Sequence, residues 1–128
     1  MSYTAFFDGS AEPNPGERSI GGLVYDTHGN LLYSFSDKIG YGTNNEAEYE
    51  ALIKVCTFIR NHGIWDVDIK GDSLLVINQV TNKWKCKTPR LIPLKRKVQE
   101  MLTSDVKFTL NHVPREQNTL ADRLSKGK

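Results

Sequence analysis

The stretch over residues 44–62 constrains this chain most, because it reads only as one long helix. Thr43-x-x-Glu46 at its start is a capping box, which satisfies amide groups that a helix start otherwise leaves unpaired. Gly63 stops it. Before the helix, residues 3–8, 20–25 and 31–35 are short β-rich runs. Pro13-Asn14-Pro15-Gly16 and Asp26-Thr27-His28-Gly29-Asn30 between them have turn composition. After it, strand and helix alternate: a strand over 67–70, a helix through Val80, a helix over 92–102, a strand over 106–110 and a short helix over 117–125. That order predicts an α/β fold with a mixed five-stranded sheet, an antiparallel meander plus parallel strands, flanked by helices.

The 128 residues suit one domain, so residues 1–128 are expected to form a single unit. With 38% hydrophobic and 25% charged residues, the composition is that of a globular chain rather than a disordered one. No apolar run approaches the roughly 20 residues of a spanning helix, which argues against a membrane protein. The first residues lack the layout of a secretory signal. Cys56 and Cys86 have neither disulfide-scaffold density nor metal-ligand spacing, so free thiols in a reducing cytoplasm are expected.

A formal net charge of +2 conceals an asymmetry. Residues 1–82 carry 5 basic and 11 acidic side chains, and residues 83–128 carry 12 and 4. Lys83, Lys85, Lys87, Arg90, Lys95, Arg96 and Lys97 follow one another with no acid among them. A charge run is commonly just a solvated surface. Beside an acidic remainder, it also fits a polyanion-facing edge next to a cation-binding centre.

Position sorts the acids. At 3.6 residues per turn, Glu48 shares a stripe with Leu52, Val55 and Ile59, while Glu46 and Glu50 fall opposite, with Glu50 in reach of Lys54. A carboxylate on the core-facing stripe is costly unless a cation or a donor compensates it. Asp8 ends the first predicted strand and Asp72 follows the fourth; if those strands are parallel neighbours, both acids emerge at one end of the sheet. Asp72 could equally cap the helix that begins near Ser73. Carboxylates without a His or Cys cluster favour magnesium or manganese over zinc. Asp122 points away from Leu120, Ala121 and Leu124, so periodicity alone leaves it on the surface. There is no Walker-type loop and no Gly-x-Ser-x-Gly elbow, and His28 and His62 fall in a turn and at a helix end.

Four segments together resemble type 1 ribonuclease H: Phe7-Asp8-Gly9-Ser10 with Asn14-Pro15-Gly16, Thr43-Asn44-Asn45-Glu46-Ala47-Glu48, Gly71-Asp72-Ser73, and His112-Val113-Pro114-Arg115-Glu116-Gln117-Asn118-x-x-Ala121-Asp122. They occur in that family's order and span nearly the whole chain. The resemblance implies the ribonuclease H-like fold and matches Asp8, Glu48, Asp72 and Asp122 to the four catalytic, metal-binding carboxylates. It implies hydrolysis of the RNA strand of an RNA–DNA hybrid to 5′-phosphate and 3′-hydroxyl ends, with two magnesium ions about 4 Å apart and manganese as a substitute. Asn14, Thr43, Asn44 and Asn45 match substrate-binding positions near the hybrid's groove and backbone, Asn14 and Asn45 as base or sugar contacts and Thr43 as a DNA phosphate contact. A cytoplasmic monomer without an obligatory protein partner follows as the expectation.

Departures from the family pattern set further expectations. The segment between Val80 and Ile92 is too short for the basic protrusion of many members, so Lys83, Trp84 and Lys85 are expected to replace part of it; local core is the other reading of Trp84. Leu74 stands where Gln is common, and Tyr41 where some members carry a phosphate-binding Arg. Arg115 is expected to assist metal or product release, with His112 second. The alternatives are a catalytically weak or inactive nucleic-acid-binding module, or a nuclease preferring RNA–RNA duplexes or RNA–DNA junctions.

Overall fold

The computed structural model describes residues 2–127. Three strands, β1 (Tyr3–Glu12), β2 (Gly16–Tyr25) and β3 (Leu31–Gly42), precede the long helix α1 (Asn44–Asn61). Then come β4 (Asp66–Gly71), α2 (Leu74–Val80), α3 (Ile92–Met101), β5 (Lys107–His112), a 3₁₀ turn at Arg115–Gln117 and α4 (Thr119–Ser125). The sheet has five strands in the order β3-β2-β1-β4-β5. β1–β2 and β2–β3 are antiparallel, whereas β1–β4 and β4–β5 are parallel. This is the predicted mixed sheet.

The strands of the meander outrun the sequence expectation. β1 continues from Asp8 to Glu12 and β2 begins at Gly16, so Pro13, Asn14 and Pro15 form only the tip of their hairpin. β3 extends through Gly42. These extensions are polar or glycine-rich and carry no alternating apolar signal; cross-strand pairing such as Ala11 with Arg18 and Arg18 with Gly40 holds them extended.

Helix α1 begins as predicted, with Thr43 Oγ1 accepting from the Glu46 amide and Glu46 Oε1 accepting from the Thr43 amide. Leu52, Val55 and Ile59 on its inner stripe are fully buried, and each such side chain stabilises the fold by about 1.5–3 kcal/mol. Lys54 pairs with Asp37 on β3 rather than with the expected Glu50. Adjacent residues on a strand point to opposite faces. A Cβ at Gly9 would meet Ala47 of α1, while the Asp8 carboxylate meets Ser125 of α4, so α1 and α4 cover opposite faces of the sheet. Among the described residues no helix is long and apolar enough to cross a membrane.

Candidate active site

The parallel pairing of β1 with β4 ends at Phe7 opposite Gly71. Asp8 is the next residue of β1 and Asp72 the first residue after β4, which places both acids at the end where β4 stops. Ser73, not Asp72, caps α2: its Oγ accepts from the Val76 amide at 3.3 Å. The Asp72 carboxylate is therefore free of the capping role.

Glu48 joins them from α1. The Gly9 amide donates to Glu48 Oε1 at 2.9 Å. That contact requires glycine, since a Cβ at residue 9 would lie 2.3 Å from the Ala47 carbonyl carbon and 2.6 Å from the Glu48 nitrogen. One carboxylate oxygen from each of Asp8, Glu48 and Asp72 falls within 4.8 Å of the others. Among the described residues, none of the three forms an ion pair with Lys, Arg or His. Burial, reinforced by Asp72 and Asp122 and eased by the Ser125 hydroxyl, pushes the Asp8 carboxyl up to about 8. Burial, followed by repulsion from Asp8 and Asp72, raises Glu48 well above the usual carboxylate range, with the Gly9 amide opposing. Oxygen donors, excess negative charge and no protein counterion suit a hard divalent cation.

Asp122 is half-buried rather than solvated, the reverse of what periodicity implies. It lines an open cleft of about 300 Å³ with Asp8, Glu48, Asn44, Asn45, Arg115 and Lys126. Lys126 Nζ lies 3.5 Å from Asp122 Oδ2. Arg115 thus shares a cleft with the acids, whereas His112, exposed at the end of β5 in register with Gly71, does not line it.

The expected substrate contacts divide. Asn14, Thr43 and Asn45 line a neighbouring groove of about 520 Å³, whose remaining lining is Pro15, Thr88, Pro89, Arg90 and Leu91. Asn44 is occupied structurally: its Oδ1 accepts from the Ala11 amide at 2.6 Å, and its own amide donates to Asn14 Oδ1 at 3.0 Å. Lys83, Trp84 and Lys85 lie in an exposed segment between α2 and α3 and line neither cavity. Trp84 is 46% exposed, so it is not local core. Arg90, Lys126 and the buried Ser125 belong to these surroundings without having been singled out. Only the charge run that includes Arg90 was visible beforehand.

The profile of the family described as reverse transcriptase-like matches residues 6–127. Ribonuclease HI of Halobacterium salinarum is 36% identical over 94% of this chain. The chain spans 61% of that protein's length. The crystal structure of RNase H1 from the same archaeon superposes with a TM-score of 0.92 at 34% identity, covering 98% of this chain and 96% of that one. The N-terminal RNase H domain of Rv2228c from Mycobacterium tuberculosis gives 0.93 at 32% identity, covering 98% and 91%. LC11-RNase H1, solved in complex with an RNA/DNA hybrid, gives 0.91 at 34% identity, covering 98% and 95%. Matched in fold over its length and in sequence to ribonucleases H1, the chain belongs to the type 1 ribonuclease H family.

Proposed function

We propose that this chain is an endoribonuclease hydrolysing the RNA strand of RNA–DNA hybrids, leaving 5′-phosphate and 3′-hydroxyl ends. The observation that carries the reading is the convergence of Asp8, Glu48 and Asp72 within 4.8 Å, with no ion pair to a protein cation among the described residues. Such a cluster is an electrostatic liability in a protein that only binds nucleic acid, since it repels phosphate. Kinship with LC11-RNase H1 and the Halobacterium enzyme supports the choice of substrate.

Asp8, Glu48, Asp72 and Asp122 would hold two divalent cations, Mg2+ with Mn2+ as a substitute. When bound, such ions supply an activated water and stabilise the leaving oxygen. The chain's own contribution is placement. The Gly9 amide orients Glu48 towards the cluster. Arg115, in the cleft and without a carboxylate partner among the described residues, offers a guanidinium to the cleaved phosphate as product leaves.

The groove carrying Asn14, Thr43 and Asn45 would take the hybrid, with Thr43 towards a DNA phosphate and the two asparagines towards base or sugar edges. Telling RNA from DNA there depends on contacts to the 2′-hydroxyl. Lys83, Trp84 and Lys85 would extend the basic surface along the duplex. We read residues 1–128 as one ribonuclease H domain, acting as a monomer in the cytoplasm.

The test is cleavage of a labelled RNA–DNA hybrid in Mg2+ or Mn2+, with metal-free and Asp8→Asn controls. Single-stranded RNA, RNA–RNA duplex and DNA run in parallel. Hybrid-selective cleavage that disappears in both controls is the expected result. Hybrid binding without cleavage in either metal sinks the enzyme reading, and preferential cutting of RNA–RNA duplex sinks the choice of substrate.

A further inference from the structure

Helix α4 reaches the acids through a side chain that is neither acidic nor exposed. Ser125 is fully buried, and its Oγ lies 3.0 Å from Asp8 Oδ2 and 2.7 Å from the Asp122 carbonyl oxygen. A hydroxyl has one hydrogen and two lone pairs, so it can donate to the Asp122 carbonyl while accepting from a protonated Asp8, and can donate to Asp8 once that carboxyl ionises. In either state the contact engages Asp8 Oδ2, and Oδ1 accepts no hydrogen bond from Ser125. One oxygen is thus held by the protein while the other remains available to the cluster.

The backbone is shaped for this contact. Asp8 pairs with Gly21 across β1 and β2. A Cβ at Gly21 would sit 2.3 Å from the Ser125 nitrogen and 2.7 Å from the Ala121 carbonyl oxygen. Glycine therefore lets α4 lie directly on the sheet at the rung that carries Asp8. Docking of the helix has other anchors as well: Ser36 Oγ donates to the Leu124 carbonyl, and Asn118 Nδ2 donates to the Phe7 carbonyl at 2.9 Å. The Ser125 hydroxyl adds a hydrogen bond from this helix to an acid of the cluster.

We propose that Ser125 is a positioning residue of the acidic centre, fixing the Asp8 carboxylate and its spacing from Asp122 so that a divalent cation meets preset ligands. The proposal rests on the reading of that centre as a cation site. Groups that orient a ligand from behind commonly govern metal affinity as strongly as some ligands do.

Mg2+ alone is titrated into the parent, Ser125→Ala and Ser36→Ala proteins, following the amide resonances of Gly9 and Asp72. Ser125→Ala should weaken Mg2+ about tenfold, while Ser36→Ala, which loses a helix anchor that does not touch Asp8, stays within about twofold of the parent. Hybrid cleavage by Ser125→Ala should need more Mg2+ yet reach the parent's kcat at saturation. Alanine is smaller than serine and favours helix, so the variant is compatible with the fold. Parent-like affinity in Ser125→Ala, equal weakening in both variants, or a kcat that excess Mg2+ does not restore overturns the proposal. A parent with no saturable Mg2+ response overturns the cation-site reading itself, and the proposal with it.

Discussion

The Gly9 amide and Glu48 Oε1, 39 positions apart in the chain, meet at 2.9 Å in a buried hydrogen bond that depends on residue 9 having no side chain. This contact joins the first strand to the first helix at the point where the acids converge. Among the described residues, the Gly9 amide is the hydrogen-bond donor to a carboxylate that otherwise faces the negative charges of Asp8 and Asp72.

Gly9→Ala would drive a methyl group into the α1 backbone, which cannot yield as a flexible side chain could. We expect a loss of about 3 kcal/mol in stability. Hybrid cleavage should fall further than the folded fraction, because Glu48 loses its orientation. Thermal melts and cleavage assays on the same preparation separate the two effects.

The acids make the metal-free protein sensitive to pH. Asp8 is raised from 3.8 to about 8, so between those values the folded chain binds more protons than the unfolded one. The stabilising contribution of this group is complete below pH 3.8 and is lost as pH rises through about 8. Melting temperatures in chelator should therefore fall from pH 5 to pH 8. Asp8→Asn should flatten that decline and raise the metal-free midpoint at pH 8 by roughly 5 °C. Mg2+ should restore the parent at pH 8 and leave Asp8→Asn nearly unchanged.

Arg115 lines the cleft of the acids and His112 does not. Arg115→Ala is expected to lower kcat by about tenfold or more, as losing one electrostatic contact to a phosphate does, while His112→Ala stays within about twofold of the parent. Steady-state kinetics on one hybrid substrate decide the matter, and the reverse ranking would exchange the two roles.

Much of this site was readable in the sequence because it follows from local periodicity. Helical spacing singled out Glu48 over Glu46, and Glu48 is 9% exposed on the inner face while Glu46 belongs to the capping box. Parallel pairing of the first and fourth strands put Asp8 beside Asp72. Asp122 was illegible to periodicity because its surroundings come from another element: α4 lies close on the sheet where residue 21 has no side chain. Ser125 was hidden for the same reason, since a serine three residues after an acid has no distinctive pattern of its own. The polar ends of β1, β2 and β3 were missed because their extended form comes from the partner strand rather than from side-chain alternation.

The four acids arrive from β1, α1, the turn after β4 and α4, with Asp8 and Asp122 near opposite ends of the fold's connectivity. Asn118 and Phe7, joined by a hydrogen bond, are separated by 111 positions. Closing contacts of such long range costs the chain loop entropy that the docking of α4 must offset. The sheet and α1 together hold Asp8 and Glu48, and only α4 brings Asp122. Fraying of α4 alone would therefore take Asp122 and the Ser125 contact away from the other acids while most of the core stays packed.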